Sequence, residues 1–473
     1  MSTCEIDRWS TRRQFLHASG GTFATLLGAG LLANLTADEA RGANIDQPYP
    51  PRRPHFAPRA KQVIFLYMSG GVSHLESFDP KPQLSRDHGK TIVPGEGREF
   101  AGRTAYFQKP HWRFRRHGQC GMEVSEIFPH TATCVDDICL IRSMRTDHIN
   151  HYESALGIHT GSFNVTRPSI GSWVSYGLGT ENQNMPSAMV IAPALPYAGA
   201  QLWSSDFLPA AHQSTRVIPG PQPIANLEPS LPLELQSLEL ELLERMNQQH
   251  LAGRAGDTTG LSARIGTFQT AFGMQMEAPE IFDLAQESDS TLRMYGVESS
   301  STRGFAWQCL MARRLVERGV RFVELIDSGS SANWDSHRNM QDHVPRARDV
   351  DQPIAALLKD LKSRGMLSET LVVWTTEFGR PPYDAAPDGK GRGHQHFAFS
   401  TWLAGGGVKP GVIHGATDEY GLSVIEDEVH VHDLHATILY LMGLDHERLT
   451  YRYAGRDFRL TDVSGTVVKP ILA

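Results

Sequence analysis

Residues 371–396 read LVVWTTEFGRPPYDAAPDGKGRGHQH. An apolar run ends on a carboxylate, Glu377, and a glycine-rich loop then delivers two imidazoles, His394 and His396, one residue apart. Polar groups of the same kind follow other apolar runs. Residues 63–68 lead into Ser69-Gly70-Gly71, where two glycines allow a tight turn, and then into His74, Glu76 and Asp79. Residues 321–326 lead into Asp327 and then Asn333-Trp334-Asp335-Ser336-His337, and residues 138–141 into Arg145, His148, Asn150 and His151. Mixed Asp, Glu and His sets suit zinc, manganese or iron, and a cation in such a set polarises an ester oxygen and acidifies water. A single histidine, one of 21 here, reads more simply as a hydrogen-bonded structural residue. The weight comes from the clusters at 74–79, 327–337 and 377–396, which follow three different runs.

Those groups act together only if the fold gathers the run ends. The runs at 63–68, 138–141, 188–191, 321–326, 371–374 and 400–404 lack strict alternation, so they predict strands covered on both faces, as in a parallel sheet. Helical spacing over 305–317 and 352–363, the second stopped by Gly365, supplies the alternating helices of an α/β fold. Ligands of such sheets bind outside the carboxyl ends of the strands. Residues 229–300 show helical pattern alone and predict a helical insertion. A helix over 152–159 would place His148, Asn150 and His151 at its N-terminus, where free N–H groups favour anions or where Asn150 caps.

A chain of 473 residues, 40% hydrophobic and 21% charged, fits one large soluble domain or two to three ordinary ones. A net charge of −7 gives no reason to expect nucleic acid. Thr11-Arg12-Arg13-Gln14-Phe15-Leu16 and the apolar run to about residue 35 predict a twin-arginine signal over residues 1–43, a Pro/Arg-rich linker over 44–60, and delivery to the periplasm or cell envelope. Nothing later is apolar enough for stable membrane insertion after signal cleavage. Of five cysteines, four lie beyond the signal; buried free thiols are expected, with room for a single disulfide.

Taken together, FLYMSGGVSHLESFDPKP (65–82), NHYESALGIHTG (150–161), Trp334-Asp335-Ser336-His337, TTEFGRP (375–381), LAGGGVKPG (403–411) and VHDLHATILYLMG (431–443) resemble an exported bacterial family known as domain of unknown function fifteen-oh-one. The resemblance runs from Lys61 to about Leu460. It implies a sulfatase-like branch of the alkaline phosphatase superfamily: a three-layer α/β/α sandwich with a largely parallel central sheet, the domain spanning 61–473, and a two-metal site. The metal implied is divalent, zinc first, with manganese, iron or calcium as alternatives. Asp335, His337, Glu377 and His394 or His396 are the implied ligands, with His74, Glu76 or Asp79 replacing the aspartate that Ser69 displaces. Phe378 stands where the superfamily carries a histidine ligand. His151 falls at the nucleophile position, flanked by His148 and Asn150, and Arg145 or Arg380 would neutralise an anionic group. No cysteine begins a Cys-x-Pro-x-Arg run, so formylglycine chemistry is not expected. The function implied is metal-dependent hydrolysis of phosphate or sulfate esters of a small molecule or glycan. The alternatives are a non-catalytic relative that binds an envelope glycan or protein, and a metal-dependent isomerase or mutase.

Overall fold

A computed structural model describes residues 50–229, 231–252 and 259–473. The expected signal segment and residues 44–49 of the linker lie outside the described residues. Nine strands make the main sheet: β1 Gln62–Tyr67, β2 Ile138–Arg145, β3 Ala188–Ile191, β4 Thr215–Val217, β5 Phe322–Ile326, β6 Thr370–Thr375, β7 Phe399–Ala404, β8 Val412–His414 and β9 Val429–His430. Their order is β8-β2-β7-β6-β1-β5-β3-β4, with β9 pairing the far end of β2. All pairs are parallel except those of β7, which runs antiparallel to both β6 and β2.

Continuous apolar runs form central strands because both faces are covered. In β1, Ile64, Leu66 and Met68 enter one core while Val63, Phe65 and Tyr67 enter the other. The first core is closed by α6 Phe305–Glu317 and α7 His343–Ser363. On α7, Ile354, Leu357, Leu358 and Leu361 repeat at the spacing that lines one helix face. The second core is closed by α1 His151–Thr160, α2 Ile170–Leu178 and α8 Val431–Leu441. The result is three layers, α/β/α. Between β4 and α6 come α3 Leu233–Ala252, α4 Thr259–Phe282 and α5 Asp289–Tyr295. Among the described residues no helix is long and apolar enough to cross a membrane. Cys120, Cys134, Cys139 and Cys309 are all free, and Cys120 is exposed rather than buried.

The registers decide what meets at the carboxyl edge. Tyr67 pairs with Thr375 on one side and Ile326 on the other, so the segments after β1, β5 and β6 emerge side by side. Because β7 is reversed, the segment entering it, which carries His394, arrives at that same edge.

Candidate metal centre

Four side chains from three loops converge there. One nitrogen each from His151, His337 and His394 and one oxygen of Asp335 all lie within 4.8 Å of one another. Asp335 Oδ1 is 2.9 Å from His337 Nε2, 3.3 Å from His151 Nε2 and 3.4 Å from His394 Nε2. His337 Nε2 and His394 Nε2 are themselves 2.9 Å apart. The buried His151 Nε2 has no well-directed hydrogen bond, although buried polar atoms are normally satisfied. Three imidazole nitrogens and a carboxylate oxygen aimed at one point are the donor set of a zinc, iron or manganese site.

The sequence offers Glu377 as a ligand, and the structure places it one step back. Its oxygens accept from the Gly70 N–H at 2.8 and 3.1 Å, the Tyr67 hydroxyl at 3.0 Å and the Thr376 hydroxyl at 3.1 Å, and His151 Nδ1 lies 2.7 Å away. It is fully buried. Burial works against its charge, but His151 and the other donors prevail and hold its pKa below the usual carboxylate value. The geometry is a carboxylate–histidine pair in which the carboxylate fixes the ring and its tautomer, leaving Nε2 free to face the cluster. Gly70 and Gly71 make this possible with φ of +112° and +77°; a Cβ on Gly70 would sit 2.7 Å from the Trp334 nitrogen.

The remaining parts hold the cluster in shape. Asp327, at the end of β5, accepts from the Ser69 N–H at 3.0 Å and the Trp334 indole at 2.6 Å, which seats the loop carrying Asp335. Burial pushes its pKa up to about 6. Arg380 is fully buried and donates to Asp335 Oδ1 at 2.7 Å. Its other N–H groups go to the carbonyls of Gly70, Gly71, Arg392 and Gly393, so it braces the site rather than greeting an anion. Burial opposes the charge of Asp335, yet three imidazoles and Arg380 hold its pKa far below normal. For His151 burial is again the largest influence and lowers the pKa, but Asp335 and Glu377 overcome it and raise it. Phe378, where the resemblance implied a histidine, packs 4.7 Å from the rings of both His151 and His394.

Other expected residues lie elsewhere. His74 is buried with Nε2 3.0 Å from the Gly421 carbonyl, and Asp79 pairs with Lys81 at 3.0 Å and the Thr417 hydroxyl. Neither reaches the cluster. His396 lies tilted against Phe397, ring centroids 4.0 Å apart, and burial, then Arg145, pushes its pKa down to about 4. Arg145 pairs with Glu428 at 3.1 Å, and His148 Nδ1 accepts the Asn150 N–H at 3.3 Å. Asn150 occupies the N-cap of α1 without a side-chain capping bond. Tyr197, which no sequence signal singled out, stacks on His151 at 4.2 Å with an interplanar angle of 11°. Only its place after β3, at the same carboxyl edge, could have pointed to it.

Comparison with curated proteins finds no match. Several solved structures are similar at low identity. Ps i-CgsB in complex with k-i-k-neocarrahexaose is 10% identical, with 83% of this chain and 72% of that chain covered and a TM-score of 0.37. The alkaline phosphatase from the Antarctic bacterium TAB5 is 11% identical, covering 81% and 98%, with a TM-score of 0.31. The PsFucS1 sulfatase from Pseudoalteromonas sp. is 13% identical, covering 84% and 69%, with a TM-score of 0.33. The family described as protein of unknown function (DUF1501) matches residues 60–472, and the chain belongs to it.

Proposed function

We propose that this protein is a metal-dependent hydrolase of phosphate or sulfate esters, holding one divalent cation through His151, Asp335, His337 and His394. The observation that carries the reading is the convergence of three imidazole nitrogens on one carboxylate oxygen. A divalent cation there supplies Lewis acidity to an ester oxygen or to water. The protein's own groups do the positioning. Glu377 holds His151 through Nδ1, and Arg380 and Asp327 fix the Asp335 loop. Phe378 and Tyr197 wall His151 with apolar surface. The His337 side chain is 40% exposed and that of Asp335 23%, so substrate approaches from their side. His151 is the first residue of α1, whose N-terminal N–H groups and dipole favour an anionic ester there. With both its nitrogens committed to this arrangement, His151 is proposed as a ligand rather than as the attacking group.

Protein purified without chelator is expected to carry about one equivalent of zinc, manganese or iron, and Asp335→Asn or His394→Ala to lose it. Chelation should abolish turnover across a panel of aryl phosphates and sulfates. No bound metal would sink the whole reading. A loaded, folded protein inert on every ester would leave the metal site and remove the hydrolase, in favour of a glycan- or protein-binding role. Export to the periplasm by the twin-arginine route is part of the proposal, and Arg12→Lys with Arg13→Lys should retain the protein in the cytoplasm.

A further inference from the structure

Well apart from the metal cluster, a cavity of about 640 Å³ lies against β4, the last turn of α2, and the facing sides of α3 and α4. That volume is typical of sites for drug-sized molecules. Met185, Ile224, Leu240, Phe268, Phe272 and Met274 supply apolar wall, interspersed with hydroxyls and amides. Among the described residues no Asp, Glu, Lys, Arg or His side chain lines it. An ionised occupant would lose its hydration there with no counter-charge in return, so the wall selects a neutral one.

Two polar atoms in this wall lack partners. The Thr270 hydroxyl belongs to a residue only 9% exposed and makes no hydrogen bond. Gln236 Oε1 is likewise buried and unpaired. The orientation of Gln236 is set from its other end: its amide nitrogen donates to Gln275 Oε1 at 2.8 Å, and Gln275 donates to the Asn226 carbonyl at 2.8 Å. What remains is an acceptor oxygen and a hydroxyl, each without a partner, in the largely apolar wall of one cavity. A buried acceptor without a donor is unfavourable, and a ligand N–H or O–H supplies what it lacks.

We propose that this cavity binds a neutral, largely apolar small molecule carrying an N–H or O–H donor, anchored at Gln236 and Thr270. The probe is N-phenyl-1-naphthylamine, which is neutral, apolar and has one N–H, followed by its fluorescence on titration with the full mature chain. Saturable one-to-one binding is expected. Leu240→Trp, which fills the cavity, should abolish it. Gln236→Leu should weaken the probe on the order of tenfold while leaving its N-methyl analogue, which has no donor, unchanged. No saturable binding in the parent protein, or undiminished binding in a folded Leu240→Trp variant, overturns the proposal. Should Leu240→Trp fail to fold, Gln236→Leu decides: equal effects on both probes overturn the anchoring, and a selective loss supports it.

Discussion

Glu377 stands one step behind the cluster and acts on it through His151 alone. Its carboxylate collects four donors, from Tyr67, Gly70, Thr376 and His151. Only the last belongs to the cluster. Glu377→Gln keeps the shape but removes the charge and one acceptor from His151, so metal affinity should fall about 10–100-fold, as measured by competitive chelator titration, with the fold retained. His337→Ala is a contrasting case. Its ring is largely exposed, so loss of metal should come with a change in apoprotein stability within about 0.5 kcal/mol by urea unfolding. A carboxylate at a strand end is legible in sequence; which way it faces is not, because its partners Tyr67 and Gly70 lie about 300 residues away in the chain. For the same reason His394 and His396 look equivalent on paper. In a straight strand they would share a face, but the chain bends at His396 and Phe397, and only His394 reaches Asp335.

Among the elements, α1 matters most, since it opens on His151 and is pinned to the sheet about two turns further on. His159 Nε2 lies 2.6 Å from Glu324 Oε1 on β5, both almost wholly buried. Removing one member of such a pair strands the other's charge, so His159→Ala should cost about 3–5 kcal/mol in urea unfolding, and should loosen metal binding by releasing the helix. The paired replacement of His159 and Glu324 by leucine should cost markedly less. The strands at the centre were readable from their unbroken apolar runs, and so was the half of α7 after Gln352. The earlier half was not: Pro353 sits inside that helix, and a proline reads as a start because it removes a backbone donor. The reversal of β7 was equally hidden. A strand buried on both faces carries the same apolar residues whichever way it runs.

Across the whole molecule, buried histidines outside the cluster set the response to acid. Burial pushes the pKa of His212 and of His435 down to about 3. Both are therefore neutral when folded and take up protons readily only when unfolded. Their contribution is complete above the ordinary imidazole value and is lost as pH falls below it toward the folded value. Between about pH 7 and pH 5 each should cost roughly 2 kcal/mol of stability, seen as a falling urea midpoint, and His435→Asn should flatten the decline. The two cores and the largely parallel sheet follow from composition and run length. The cation set needed the strand order, which places residues distant in sequence on one edge.

That spread along the chain has a consequence for assembly. The donors stand at positions 151, 335, 337 and 394, on segments that meet only when β1, β5, β6 and β7 are side by side. No nascent fragment ending before His394 contains the full set, so on the proposed reading capture of a cation would follow completion of the sheet rather than guide it. The identity of the ion would then be settled by whichever compartment first holds the finished fold, through the ions available there as much as through the ligands themselves.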